Sequence, residues 1–399
     1  MESSHIFRIK YGDFSQRLHN KGAEKGIPLN GEMDLTYRCN LKCGHCYGVC
    51  EPNKKELTTQ EVFRILDEMK QAGCLWLLLS GGEPLLRKDF WEIYIYAKKG
   101  GFVITLFTNG TLITPEFVAR LREYRPFSVE VSLYGITRDT YESVTGVAGS
   151  FERCMRGINL LLLEHGLPLK IKTTVVTLNH HELWQIKKYV ETELRVEFRF
   201  DAVISPKLDS SKGPCHLRVS PEEVVKLDLA DEKRLEGWKE VCERFWGPLH
   251  SDTLYNCGAG VSSFHIDPYG VMRLCSMVRN PSWNLRQLSF QKGWQELHKF
   301  RVQKSFSTNS KCRDCEISLC DWCPGWAQVE NGDLETPVEY LCRIAHLQAR
   351  AFGMIKDKIK GGNLNEKGKK ILSKASDKRG QINPRGSSFN KLQVGGWIK

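Results

Sequence analysis

A chain of 399 residues with 41% hydrophobic content has an ordinary globular composition and can hold one large domain or two. Its formal charge of +11 sits at one end: residues 346–399 carry 13 Lys and Arg against 3 Asp and Glu, leaving 45 against 44 in the body. A nearly neutral body argues against a nucleic-acid-binding fold, and the longest apolar runs, LWLLL and LLLL, are far too short to span a membrane.

The N-terminus, MESSHIFRIK, lacks the apolar centre of a signal peptide, so a cytoplasmic location is expected. Residues 1–31 are polar and mixed, an extension too short for a domain. Over 32–205 the pattern alternates. Apolar, β-branched runs predict strands at 32–37, 75–79, 103–108, 128–133, 170–177 and 196–203. Helical stretches lie between them at 58–71, 88–99, 115–123, 151–164 and 181–193. Six β-α repeats predict a parallel sheet with right-handed crossovers, either an open doubly wound sheet or a barrel. Residues 206–255 read as a connector, loop-like at SPKLDSSKGP and helical over 220–245. Residues 256–345 are cysteine-rich. The basic tail, 346–399, has too few large apolar residues to fold alone, and disorder is expected there. A basic arm for an acidic partner is the alternative.

Fifteen cysteines without an export signal point to metal or cluster ligation rather than disulfides. Cys39, Cys43 and Cys46 stand in C-x3-C-x2-C spacing, with Tyr47 after the third. Thiolates this close on one loop suit soft iron or an iron–sulfur cluster. Three ligands on a four-iron cube leave one iron open to chemistry. A zinc loop with Cys50 or His45 as fourth ligand is the local alternative. About forty residues later, Ser80-Gly81-Gly82-Glu83-Pro84 follows the run CLWLLL. Two glycines permit close backbone approach, and a carboxylate suits an ammonium.

Together these two motifs resemble those of the radical S-adenosylmethionine (radical SAM) superfamily. The resemblance implies a partial (β/α)6 TIM-like barrel. It implies a [4Fe-4S] cluster on Cys39, Cys43 and Cys46, with SAM on the open iron and Gly81, Gly82 and Glu83 at its methionine amino group. Tyr47 would stack near the adenine. Asn109, in Thr108-Asn109-Gly110, and Ser132 would line the SAM pocket, and Arg153 would meet the SAM carboxylate. Asn179 is a similar candidate. Plain alternatives are a core aromatic for Tyr47, a turn for Asn109, a strand serine for Ser132 and a solvated arginine for Arg153. No residue is assigned as catalytic acid or base.

Seven more cysteines fall at Cys257, Cys275, Cys312, Cys315, Cys320, Cys323 and Cys342. Two C-x2-C pairs suggest a zinc ribbon, but the gap of four between them is shorter than ribbons use. The order resembles the SPASM extension of radical SAM enzymes, which carries auxiliary [4Fe-4S] clusters. That resemblance puts Cys257, Cys275 and Cys323 on a first auxiliary cluster and Cys312, Cys315, Cys320 and Cys342 on a second. The first lacks a fourth cysteine after Cys257, so its iron is either open to substrate or held by a ligand from elsewhere. Cys50, Cys74, Cys154, Cys215 and Cys242 are left as plain thiols, with Cys50 expected to point away from the cluster.

The family resemblance implies reductive cleavage of SAM to a 5′-deoxyadenosyl radical that takes hydrogen from a peptide or protein, in crosslinking or in maturing a peptide-derived cofactor. An external electron donor of flavodoxin or ferredoxin type is implied. The short N-terminus suggests a separate peptide-carrier protein, or pairing of the peptide with an exposed strand. The alternative enzyme reading is modification of tetrapyrrole or haem-precursor side chains. The alternative of another class is an iron–sulfur carrier or scaffold without SAM chemistry, against which the GGEP motif argues.

Overall fold

The computed structural model describes residues 10–353, apart from 52, 165, 246–251, 308, 309, 314, 316 and 318–322 and the side chains of 240–245. Helix α1 (Tyr11–Glu24) precedes β1 (Asn30–Thr36). The chain then runs α2 (Thr59–Gln71), β2 (Trp76–Gly81), α3 (Phe90–Lys99), β3 (Val103–Thr108), α4 (Pro115–Glu123), β4 (Ser128–Ser132), α5 (Arg138–Thr145), α6 (Ser150–Leu163), β5 (Leu169–Thr174), α7 (Leu183–Lys188) and β6 (Glu197–Asp201). Next come α8 (Pro221–Ala230), α9 (Glu232–Phe245), β7 (Ser263–Ile266), β8 (Val271–Arg273), β9 (Trp283–Asn284), α10 (Phe290–Gln303), α11 (Pro324–Asn331) and α12 (Glu339–Ala351).

The sheet order is β6-β5-β4-β3-β2-β1-β7-β8-β9, and β1 to β6 are parallel neighbours in chain order. A doubly wound sheet reverses its strand order once; here the order never reverses. Successive crossovers of one hand therefore lay the helices on one face, as in a barrel. The barrel stays partial, because β1 pairs with β7 in parallel, and β8 and β9 extend the sheet antiparallel.

Packing follows the period-two alternation of strands. Met33, Leu35, Leu77, Leu79, Ile104, Leu106, Val129, Val131 and Ile171 face the helices and join Ile65, Met69, Ile93, Leu121, Ile158 and Leu161 in one buried core. Each such side chain contributes about 1.5–3 kcal/mol of burial. The alternate positions carry polar groups. Glu32, Asp34 and His265 are buried together, with His265 Nε2 2.9 Å from Asp34 Oδ2, and Lys172 pairs with Glu130 at 2.5 Å.

Element ends depart from expectation where side chains intervene. The fifth strand stops at Thr174, where Asn179 donates to the Thr174 carbonyl and accepts from Val176 N–H. The 220–245 stretch splits at Asp231, whose carboxylate caps Arg234 N–H and pairs with Lys187. The N-terminal extension forms α1, whose His19 stacks on Trp76 and bonds Asn30. Arg218 holds Glu330 in two bonds of 2.9 and 2.6 Å, tying the connector to α11.

Candidate active site

The loop from residue 37 to 50 leaves the C-terminal end of β1, the end at which parallel sheets carry their sites. Its shape is set by neighbours far along the chain. Lys42 N–H and Gly44 N–H donate to the carbonyls of Thr145 and Val144, at the C-terminal end of α5. On the other side, Gly82 N–H donates to Thr36 O and Glu83 N–H to Arg38 O. A side chain on Gly81 would stand 2.2 Å from Thr36 O, and one on Gly82 2.4 Å from Arg38 O. The two glycines thus admit the cysteine loop's own backbone.

Cys39 and Cys46 are exposed and Cys43 is half-buried. The Cys39 sulfur accepts Leu41 N–H at 3.4 Å and faces Asn109 Nδ2 at 3.8 Å. Burial and the charges of Cys46 and Cys39 push the Cys43 thiol up; Cys39 rises through burial, with Glu83 and Cys46 adding to it. Their ionisations oppose one another, so a cation that takes their charge would favour the thiolate form. A single zinc fits poorly: at about 2.3 Å per Zn–S bond, sulfurs on one tetrahedral ion stand about 3.8 Å apart. Among the described residues, the one trio of ligand atoms within 4.8 Å of one another is Glu32, Asp34 and His265, which contains no cysteine. More widely spaced sulfurs suit the corners of a cluster. Cys50 is exposed and acts on Tyr269. His45 is buried against the Tyr134 ring, and burial lowers it to about 4, which keeps it neutral.

Glu83 is fully buried. Its carboxylate accepts Asn109 N–H at 2.7 Å, Leu85 N–H at 3.1 Å and Thr108 Oγ1 at 2.9 and 3.0 Å. Burial raises it from 4.5 to about 7 despite those donors. Asn109 also donates to Asn40 Oδ1 at 2.8 Å, and Thr111 donates to Asn109 Oδ1. One network therefore joins the Glu83 carboxylate to Cys39. Asn40 and Thr111 belong to it and carry no motif signal; their place shows only when β1 and β3 lie on either side of β2.

Ser132 ends β4, and its side chain lies against the Tyr134 phenol, which burial and the three loop cysteines raise. Tyr134 is a site residue that sequence reading misses. Arg153 folds back on Gly149 at the start of α6. Tyr47 is half-buried against the cluster of Tyr37, Leu208, Tyr269 and Trp326. Asn179 is fully engaged with the backbone of Thr174, Val176 and Tyr134.

Electrostatic influence among the C-terminal cysteines runs in two sets. Cys257 and Cys323 both act on Cys275, and all three act on Tyr255. Separately, Cys315 and Cys342 act on Cys312. Cys320, the side chain of Cys242 and the tail from residue 354 lie outside what the structure describes. Arg301, 7% exposed, donates to the carbonyls of Ala259, Tyr255 and Cys257 and has no carboxylate partner among the described residues. Its charge is felt by Cys257 and Tyr255.

Fold and site together define an enzyme working at the rim of a partial barrel, with a three-thiolate loop after its first strand and a buried carboxylate after its second. The Radical SAM superfamily model matches residues 33–191. The mycofactocin maturase MftC of Mycolicibacterium smegmatis is 34% identical over 319 residues, 73% of this chain and 77% of that protein. An AdoMet-dependent heme synthase of Methanosarcina barkeri is 27% identical over 75% of this chain and 92% of its own length. In fold, the structure of anSMEcpe with bound AdoMet and the Cp18Cys peptide superposes with a TM-score of 0.62 at 19% identity, over 82% of this chain and 98% of that one. The chain belongs to the radical SAM superfamily and is an enzyme of that class, with a [4Fe-4S] cluster and SAM as its cofactors. No helix among the described residues is long and apolar enough to cross a membrane.

Proposed function

We propose that this enzyme modifies a peptide or protein. The observation that carries the reading is the 34% identity to a mycofactocin maturase across 73% of the chain, well beyond the barrel. Cys39, Cys43 and Cys46 would hold the SAM-binding cluster, Glu83 would take the SAM ammonium, and Ser132 and Asn109 would line the pocket. When bound, the cluster supplies the electron that splits SAM into methionine and a 5′-deoxyadenosyl radical able to take hydrogen from substrate. The chain's own part is positional. The Glu83–Asn109–Asn40 network fixes the carboxylate against the cysteine loop, and α5 holds that loop. Cys257, Cys275 and Cys323 would hold one auxiliary cluster, and Cys312, Cys315 and Cys342, with Cys320, another. An external flavodoxin or ferredoxin would supply electrons.

A second reading, modification of a tetrapyrrole side chain, is favoured by the heme synthase, 92% of whose length aligns with this chain. The test is anaerobic reconstitution with SAM and dithionite, followed by incubation with peptides or with an iron porphyrin. A peptide whose mass changes as 5′-deoxyadenosine accumulates supports the first reading. Turnover with the porphyrin alone replaces it by the second.

A further inference from the structure

Strand β1 ends the parallel run of the barrel, and β7 beside it begins the C-terminal part of the sheet. Across that seam Glu32 and His265 are register partners, and Asp34 lies two residues on from Glu32, on the same face. Met33 and Leu35 take the opposite face, in the apolar core. Glu32 is 8%, Asp34 1% and His265 0% exposed. One ligand atom from each of the three lies within 4.8 Å of the other two. Donors on one six-coordinate ion, at bonds of about 2.1 Å, stand about 3.0–4.2 Å apart. Two carboxylates this close repel, and a divalent cation between them replaces the repulsion with attraction. The histidine supplies an independent sign. Its Nε2 lies 2.9 Å from Asp34 Oδ2. Its Nδ1 is closed off from solvent and has no hydrogen-bond partner among the described residues. An imidazole held by a carboxylate through one nitrogen and bare at the other is the form that ligates metals.

We propose that Glu32, Asp34 and His265 bind a divalent cation between β1 and β7. Two carboxylates and one imidazole, without a thiol, suit an oxygen-preferring ion of the manganese(II) kind rather than the soft iron that thiolates select. All three residues are buried, and a closed site is a structural one. The ion ties β7, and through it the sheet that leads to Cys275, to the strand that carries the cysteine loop. Asp34 is also the register partner of Ser80, the neighbour of Gly81, so the ion steadies the strand ends beneath both motifs. The site shares no residue with the cysteine loop or the C-terminal cysteines, and it does not rest on the cluster assignments.

The test is electron paramagnetic resonance of the anaerobically iron-loaded full chain, titrated with manganese(II), whose free-ion signal is lost on binding. About one ion per chain should bind tightly. The bound ion should show nitrogen coupling that changes when the protein is made with nitrogen-labelled histidine. Asp34→Asn and His265→Gln should each weaken binding by at least about tenfold while iron content holds. Manganese(II) should raise the melting temperature of the unsubstituted chain and of neither variant. No tight binding by the unsubstituted chain, a bound ion without histidine coupling, or equal binding in the variants overturns the assignment. The isotope comparison uses the unsubstituted chain, so it decides even if a variant folds poorly.

Discussion

Glu83 is where sequence motif and electrostatics meet. Its folded value, about 7, lies above the ordinary 4.5, so the folded chain holds a proton that the unfolded chain has lost. Burying this group is therefore harmless below about pH 4.5 and costs stability as pH rises to about 7. The SAM ammonium favours the charged carboxylate, so binding should expel that proton. SAM affinity of the cluster-loaded enzyme should then climb by up to about tenfold per pH unit between about 5 and 7, and level off above. Calorimetry in buffers of different ionisation heat reads the released proton directly. Glu83→Gln should abolish the release and weaken SAM binding by about ten- to a hundredfold, the range of a charged hydrogen bond. Binding without proton release, or unaffected by the substitution, contradicts the role. Glu83 is legible in the sequence because GGEP is contiguous. Asn40, which joins it through Asn109, is not, because it comes from the end of another strand.

At the scale of elements, the cysteine loop is clamped between the β2 end and α5. Gly82→Ala would push a methyl to within 2.4 Å of Arg38 O. A loss of about 1–3 kcal/mol in stability is expected, together with failure to load the SAM-site iron. Gly101→Ala is the control. Its φ is +94°, and nothing lies within 4 Å of the added methyl, so it should lose about 1–2 kcal/mol from strain alone and keep its iron. Thermal melts and iron analysis of both variants separate the outcomes; equal iron in the two would show that the clamp does not shape the loop. Helix α5 illustrates why sequence reading stops short. Its eight residues, Arg138–Thr145, are capped by Thr137, and Glu182 from a distant turn bonds Thr137 and Thr140. A helix so short is marginal by itself, and this tertiary brace is invisible in the local pattern.

For the whole molecule, iron content is the measure. Three [4Fe-4S] sites predict about twelve irons per chain, and about four if the C-terminal cysteines hold zinc. Replacing Cys39, Cys43 and Cys46 together should remove about four irons and all 5′-deoxyadenosine, while the C-terminal iron remains. Loss of every iron in that variant would mean that the sites do not load independently.

The alternation of strands with helices, the C-x3-C-x2-C loop and the GGEP turn are properties of neighbouring residues, so the sequence alone determined a β/α fold and the position of a metal loop. It left the doubly wound sheet and the barrel both open. Only the tertiary structure decided between them, because strand order is a matter of long-range pairing. The same holds for β7 joining β1 in parallel and for α5 holding the loop. These contacts join residues tens to hundreds of positions apart, and burial, rather than local propensity, selects them.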